Sequence, residues 1–161
     1  MRAAVLTVSD RASAGAMTDE SGPAVGRLLA AAGFEVSDVV VVADEREQIA
    51  GFVVAAASTH DLVVTTGGTG LAPRDVTPQA TRPLLDYEVP GLAELMRAEG
   101  LRRTPMAALS RSLAGVRGRT LIVNLPGSVR GATESLEAIV PVLEHALRLL
   151  SGDARHGASA S

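Results

Sequence analysis

Short apolar segments that alternate with segments of helical periodicity constrain the fold of this chain more than any other feature. A short apolar run that ends at a polar turn is typical of a strand buried on both faces of a parallel sheet. Strands connected by amphipathic helices wind right-handed into such a sheet, with functional loops at the carboxyl ends of the strands. The predicted strands are residues 3–8, 34–42, 62–66 and 121–125, and the predicted helices are residues 21–33, 44–56, 79–85 and 91–98.

Three segments give weaker patterns. Residues 11–20 are polar and are predicted to form a loop, and residues 109–116 are compatible with an edge strand or with irregular structure. An apolar stripe of helical spacing runs from Leu136 to Leu150. Pro141 lies inside this stripe, and we expect it to kink or divide the helix because proline removes an intrahelical hydrogen bond.

The length of 161 residues predicts one compact domain, which we place at residues 1–150, followed by a disordered tail at 151–161. The chain has no Cys, which excludes disulfides, zinc–thiolate sites and cysteine nucleophiles. All 15 basic residues are Arg, so the chain lacks the Lys of P-loop NTPases and of Schiff-base enzymes.

The net charge of −3 gives no reason to expect nucleic acid as a partner, since such binding depends on many basic side chains. No apolar run is long enough to span a membrane, and the amino terminus enters a strand pattern at once rather than a signal peptide. We therefore expect a cytoplasmic protein.

The densest functional signal is a glycine-rich loop directly after the third predicted strand. It reads Thr65-Thr66-Gly67-Gly68-Thr69-Gly70. Glycines let backbone N–H groups approach an anion without a Cβ in the way, and Thr hydroxyls add donors. The alternative is a tight structural turn. We favour a phosphate-binding loop, because three glycines in four positions cost chain entropy without any return in packing.

Two carboxylates are predicted to lie beside this loop. Asp75 follows it closely, and Asp44 follows the second predicted strand. A carboxylate near phosphates is repelled unless a divalent cation lies between them, which suggests a metal such as Mg²⁺ held jointly by protein and nucleotide. The alternatives are that Asp44, with Glu47 three residues later, only caps a helix and that Asp75 only forms a turn.

Polar residues end other strands at the same predicted edge. Ser9 and Asp10 follow the first strand, and Asn124 to Ser128 end the last. Open α/β sheets bind ligands at such an edge. Ser110 and Arg111 are further candidate anion donors, with ordinary solvent contacts as the alternative.

These motifs together resemble the Mog/MoaB family of molybdenum-cofactor biosynthesis proteins, which includes the G domain of gephyrin. They occur in the family's order and span roughly residues 3–150. The matching segments are Val8-Ser9-Asp10-Arg11, Val42-Ala43-Asp44-Glu45, Thr65 to Gly70, Arg74-Asp75-Val76-Thr77-Pro78, Leu109-Ser110-Arg111 and Asn124-Leu125-Pro126-Gly127-Ser128. The chain continues the last motif with Val129, where many relatives have Pro.

The resemblance implies a three-layer α/β sandwich with a mostly parallel sheet, usually assembled as a homotrimer. It implies adenylylation of molybdopterin by Mg-ATP with release of pyrophosphate, and a downstream molybdate-insertion protein as a possible partner. By the same resemblance the two catalytic, metal-holding positions fall on Asp44 and Asp75. The phosphate-binding loop falls on Gly67, Gly68, Thr69 and Gly70, and the other pocket-lining positions fall on Ser9, Asp10, Ser110, Asn124, Pro126, Gly127 and Ser128.

Two other functions remain open from the sequence. One is a non-catalytic molybdopterin-binding or carrier protein of the MoaB type, although the opening Ser9 to Ser13 looks more like Mog. Retained carboxylates argue against a pure binder, which gains nothing from negative charge near phosphates. The other is an unrelated Rossmann-like nucleotide binder, which the lack of a G-x-G-x-x-G motif disfavours.

Overall fold

The computed structural model describes residues 1–153 of the chain. Seven strands form one mixed sheet, which six α-helices and two short 3-10 segments accompany. The strands are β1 (Arg2–Val8), β2 (Glu35–Val36), β3 (Val40–Val42), β4 (Leu62–Thr66), β5 (Tyr87–Glu88), β6 (Ala114–Arg117) and β7 (Thr120–Leu125). The helices are α1 (Asp10–Ser13), α2 (Ser21–Ala31), α3 (Arg46–Ala57), α4 (Thr77–Thr81), α5 (Pro90–Leu101) and α6 (Val129–Ser151), with 3-10 segments at Arg82–Leu84 and Pro105–Leu109.

The sheet is mostly parallel, as predicted. Its order is β2-β1-β4-β7-β6-β5, and β3 also pairs with β1. All pairings that involve β1 or β4 are parallel, whereas β6 runs antiparallel to both of its neighbours. The segment predicted as an edge strand or irregular therefore contributes β6, which lies inside the sheet because β5 covers its outer side.

Helices cover both faces, which confirms the three-layer sandwich. Alternate residues of β1 point to opposite faces: Ala3 and Val5 join the core beneath α2, α5 and α6, whereas Ala4 and Leu6 join the cores on the other face. Helix α3 packs on that second face beside α4. The burial of both faces of β1 and β4 explains their nearly unbroken apolar sequences.

Three predictions of local structure are wrong. The strand predicted over residues 34–42 is interrupted, and β2 and β3 pair with different ends of β1. The predicted polar loop begins with the short helix α1, whose N-cap Ser9 accepts a hydrogen bond from the N–H of Ala12. Asp44 is not the N-cap of α3, since that position is Glu45 and makes no capping bond.

Of the two outcomes expected at Pro141, a kink or a division of the helix, division does not occur, because α6 continues through this residue as one helix of 23 residues. The helix has an amphipathic stripe that packs against α2 and α5. A proline inside a helix costs roughly 3 kcal/mol, through the lost hydrogen bond and the clash of its ring with the preceding turn, and the burial of several large side chains outweighs this cost. The fully buried members of this stripe are Leu136, Ile139 and Leu143.

Helix α6 ends at Ser151, and Gly152 caps it with a left-handed backbone (φ +81°). The domain boundary at residue 150 thus falls one residue before the end of this helix, and residues 154–161 of the predicted tail lie outside the described part of the chain. Across residues 1–153, no helix is both long and apolar enough to cross a membrane.

Candidate functional site at the carboxyl edge of the sheet

The carboxyl ends of four neighbouring strands bring the sequence motifs together. Val8 of β1 pairs with Val42 of β3, and Thr66 of β4 pairs with Leu125 of β7. Because these strands are parallel and in register, the segments that follow them leave the sheet at one edge. The predicted convergence of the strand-end motifs at this edge is confirmed.

The glycine loop depends on glycine at its first two positions. Gly67 and Gly68 have φ values of +94° and +70°, which only glycine adopts readily. A Cβ on Gly67 would lie 2.2 Å from the carbonyl oxygen of Val8, and a Cβ on Gly127 would lie 3.1 Å from the Cα of Gly67. The loop therefore packs backbone against backbone between the ends of β1 and β7.

The loop presents unused backbone donors. Within residues 1–153, the N–H groups of Gly68, Thr69 and Gly70 have no hydrogen-bond acceptor. Helix α6 starts beside the loop, where Ser128 caps it by accepting from the N–H of Gly131 at 3.0 Å. The first N–H groups of any helix lack intrahelical partners and carry partial positive charge. This edge thus concentrates donors suited to an anion.

A cavity of about 560 Å³ opens against the loop and contains both predicted catalytic carboxylates. Burial raises the pKa of Asp44, and the negative charges of Asp10 and Asp75 raise it further, against the lowering effect of a hydrogen bond from the N–H of Asp10. The carboxylate of Asp75 accepts from the N–H of Ala72 at 3.0 Å. Predicted residues that line this first cavity are Ser9, Asp44, Gly67, Gly68, Asp75, Gly127 and Ser128.

The donor set of the first cavity fits a hard divalent cation. Asp44 and Asp75 supply carboxylate oxygens, which Mg²⁺ prefers, and Mg²⁺ is commonly held by one or two carboxylates together with phosphate oxygens of a substrate. Nowhere in residues 1–153 do three or more His, Cys, Asp or Glu side chains form a group that could hold a metal ion. Asp44 and Asp75 therefore offer two protein ligands, with repulsion between them that a cation would relieve.

A second cavity of about 350 Å³ adjoins the first, and the two share Gly127 and Ser128. Its wall includes apolar side chains, among them Met96, Met106 and Leu109. The predicted residues that line it are Thr69, Gly70, Ser110, Pro126, Gly127 and Ser128. The glycine loop and the start of α6 thus lie between a first cavity that contains carboxylates and a second cavity with apolar side chains in its wall.

Two predicted site residues line neither of these cavities. Asn124 is fully buried, and its Nδ2 donates to the hydroxyls of Thr65 and Thr81 at 2.9 and 3.2 Å. The carboxylate of Asp10 accepts two hydrogen bonds from Arg74 and one from the N–H of Asp44. Neither side chain therefore lines these cavities in the structure: Nδ2 of Asn124 and the carboxylate of Asp10 are bound to protein partners, and their role in the pocket stays a prediction.

Arg111 was a candidate anion donor, and the structure gives its guanidinium a different use. Nε donates to the carbonyl oxygen of Gly70 at 2.9 Å and Nη2 to that of Asp75 at 2.7 Å. Arg111 thus joins the end of the glycine loop to the segment that carries Asp75. A lone Arg gives no sequence signal that its partners will be backbone carbonyls.

Two further residues at the site were given no role from the sequence, although Thr77 lies in one of the matching motifs. Asp19 lines the first cavity and accepts hydrogen bonds from the Thr7 hydroxyl at 2.7 Å and from the N–H of Gly22 at 3.1 Å. Its position just before the start of α2 was an available signal, since acidic side chains often satisfy helix N-termini. Thr77 is fully buried and donates from its hydroxyl to the carbonyl oxygen of Gly67 at 2.9 Å.

Fold and site together define an α/β protein whose candidate site, at the carboxyl edge of its sheet, is suited to anionic ligands. Comparison with known families gives the particular family: residues 4–145 match the family described as "Probable molybdopterin binding domain". The chain belongs to that family, as the sequence motifs predicted.

Individual relatives agree with this assignment. The chain is 42% identical over 153 residues to the molybdopterin adenylyltransferase of Helicobacter pylori strain J99, covering 92% of this chain and 87% of the relative. It is 41% identical to the molybdopterin adenylyltransferase of Escherichia coli K12, covering 86% and 73%. Among solved structures, the molybdopterin biosynthesis enzyme MoaB of Thermus thermophilus has a TM-score of 0.89 at 58% identity, covering 94% and 96%.

Proposed function

We propose that this protein is a molybdopterin adenylyltransferase that uses Mg-ATP in molybdenum-cofactor biosynthesis. The relatives named for this activity cover nearly the whole chain at about 42% identity, which supports the reaction class. The observation that carries the proposal is the meeting of the glycine loop, two carboxylates and two cavities at Gly127 and Ser128. Two adjacent cavities suit a reaction that joins two ligands through a phosphate.

The reaction transfers a nucleotidyl group without a covalent enzyme intermediate. An oxygen of the terminal phosphate of molybdopterin attacks the α-phosphorus of ATP, the bond from that phosphorus to the bridging oxygen of the β-phosphate breaks, and pyrophosphate leaves. Such transfers depend mainly on positioning and on neutralisation of charge. The absence of Lys and Cys is therefore no obstacle to this chemistry.

The residues of the chain take distinct roles in this proposal. The N–H groups of Gly68, Thr69 and Gly70 bind phosphate oxygens, aided by the amino terminus of α6. Asp44 and Asp75 would hold Mg²⁺, which when bound offsets the negative charge that develops on the phosphates. Asp10 does not contact substrate in this scheme, and it positions Asp44 through two backbone hydrogen bonds.

A non-catalytic molybdopterin carrier is the second candidate. The chain is 58% identical to the solved MoaB of Thermus thermophilus and 42% identical to the solved MogA structure, but that MoaB is described as an enzyme, so these identities do not favour a carrier. The paired carboxylates of the first cavity argue for catalysis, because their charge weakens phosphate binding unless a cation is recruited. The opening Ser9 to Ser13 looks more like the Mog branch of the family, whereas the identity is higher to the solved MoaB than to the solved MogA.

The decisive experiment incubates the purified protein with molybdopterin, ATP and Mg²⁺ and measures pyrophosphate and adenylyl-molybdopterin. We expect both products in equal amounts and neither in the presence of a chelator. Tight binding of molybdopterin without any pyrophosphate would reject catalysis and favour the carrier. A parallel incubation that omits molybdopterin separates adenylylation from simple hydrolysis of ATP.

Three further expectations accompany the proposal. A homotrimer is expected from the family resemblance, and light scattering that shows a stable monomer at micromolar concentration would contradict it. Transfer of the product to a downstream molybdate-insertion protein and a cytoplasmic location both stay predictions.

A further inference from the structure

A column of buried polar side chains connects β7 to the glycine loop. Nδ2 of Asn124 donates to the hydroxyl of Thr81 at 3.2 Å, and that hydroxyl donates to the carbonyl oxygen of Thr77 at 2.8 Å. The hydroxyl of Thr77 in turn donates to the carbonyl oxygen of Gly67 at 2.9 Å. All three side chains of this buried column are completely shielded from solvent.

Thr77 holds two consecutive carbonyl groups of the loop. Besides the hydroxyl bond to Gly67, its N–H donates to the carbonyl oxygen of Gly68 at 3.0 Å. In a planar trans peptide the C=O and the following N–H point in opposite directions. With both carbonyls turned toward Thr77, the N–H groups of Gly68 and Thr69 are turned away from it. These are two of the three loop donors without an acceptor in the described chain.

The rest of the column fixes Thr77 itself. Helix α4 has only five residues, and its N-cap Val76 makes no side-chain capping bond, so the helix has little support of its own. The bond from Thr81 back to Thr77 closes its single turn. Asn124 then ties Thr81 to the sheet, because its amide also donates to Thr65 of the neighbouring strand at 2.9 Å.

We propose that Asn124, Thr81 and Thr77 are positioning residues that aim the N–H groups of the glycine loop at the phosphates of the ligand. Asn124 acts from beneath the loop and does not contact substrate. This inference rests on the proposed function for the identity of the ligand, Mg-ATP. It replaces the pocket-lining role that the sequence motif suggested for Asn124.

The test compares Thr77→Val, which removes only the hydroxyl bond, with Thr77→Ser, which keeps it. The affinity for Mg-ATP is measured by calorimetry and the stability by urea unfolding. If the hydrogen bond from Thr77 orients the loop donors, its loss should weaken the affinity for Mg-ATP roughly tenfold. We expect about this loss in Thr77→Val, recovery in Thr77→Ser, and a smaller loss in Thr81→Val.

Thr120 supplies the matched control. It is also buried, at 3% exposure, and its hydroxyl donates to the carbonyls of Ala57 and His60 at the opposite edge of the sheet. Thr120→Val should lower stability as the column variants do, but it should leave the affinity for Mg-ATP unchanged. A general loss of stability therefore cannot imitate the expected result.

Unchanged affinity in folded Thr77→Val would overturn the inference. If Thr77→Val does not fold, the affinity of Thr81→Val for Mg-ATP is the test instead. A wild-type affinity in Thr81→Val would also overturn the inference. A wild-type protein that binds Mg-ATP but releases no pyrophosphate would reject adenylylation. The positioning role could still be tested in that case, because its readout is the affinity for Mg-ATP. A wild-type protein that binds neither Mg-ATP nor inorganic pyrophosphate would reject both.

Discussion

Asp10 and Asp44 exchange hydrogen bonds across the ends of β1 and β3. The N–H of Asp10 donates to Oδ2 of Asp44 at 2.8 Å, and the N–H of Asp44 donates to Oδ1 of Asp10 at 3.0 Å. Arg74 binds the same Asp10 carboxylate with Nε and Nη2. The reciprocal pair orients Asp44 toward the first cavity, and Arg74 supplies positive charge close to both carboxylates.

Asp44→Asn and Asp75→Asn should each lower the rate of adenylylation by about 10²–10³-fold at saturating ATP and Mg²⁺. The amide preserves size and hydrogen-bond acceptance but removes the charge that holds the cation, so binding of molybdopterin should persist. The rate is measured as pyrophosphate release, and folding by circular dichroism. Near-normal turnover in both variants would make the carboxylates structural.

Arg74→Gln should raise the pKa of Asp10. In the folded protein the hydrogen bond from Arg74 is the largest cause that holds this pKa below its ordinary value, followed by the bond from the N–H of Asp44. The pKa is measured by NMR titration of the side-chain carboxyl carbon. Glu134, whose pKa is lowered by Arg130, is an internal control that should not move.

The same shift has a consequence for acid stability. Because the pKa of Asp10 is lower in the folded than in the unfolded state, its stabilising contribution is fully present above the unfolded pKa of about 3.9. It is lost as the pH falls through the lowered folded pKa. Arg74→Gln should therefore show a shallower loss of stability with acid than wild type, and an identical slope would contradict the assignment.

Gly67→Ala should destabilise the protein far more than Gly33→Ala. The two glycines have nearly the same φ, +94° and +95°, so the conformational cost of about 1–2 kcal/mol is common to both. Only at Gly67 would the new Cβ also meet a carbonyl oxygen, at 2.2 Å, whereas nothing lies within 4 Å at Gly33. Urea unfolding of both variants measures the difference. Equal losses would show that the loop relaxes freely.

Inorganic phosphate should shift the amide NMR signals of Gly68, Thr69 and Gly70 without any other ligand, since these N–H groups have no acceptor within residues 1–153. Gly118 is the control, because its N–H already donates to Asp86 at 2.7 Å on another turn. No change at the three loop amides up to millimolar phosphate would reject the preformed cradle. Gly68→Ala is a poor probe, since its Cβ would lie 2.2 Å from the Thr77 hydroxyl.

The alternation of strands and helices, the mostly parallel sheet and the edge that carries the site could be predicted from the sequence, whereas α1, β5 and the break between β2 and β3 were not. Runs such as Leu62–Thr66 are apolar throughout because both faces of the strand are buried, and the motifs follow such strands directly. These are local signals, and because the strands are parallel, the motifs that follow them lie at one shared edge of the sheet.

Tertiary structure alone decided which polar side chains face the cavities. Asn124 ends a strand like the other motif residues, yet the alternation of side chains along β7 turns it inward to Thr81. Asp44 fits a helix cap by sequence, but the pairing of β1 with β3 places its carboxylate against the N–H of Asp10, from which it accepts a hydrogen bond. Side-chain hydrogen bonds depend on distances between residues remote in the chain, which no local pattern encodes. Residue type and spacing therefore determined where the site lies, and long-range packing determined which side chains serve it.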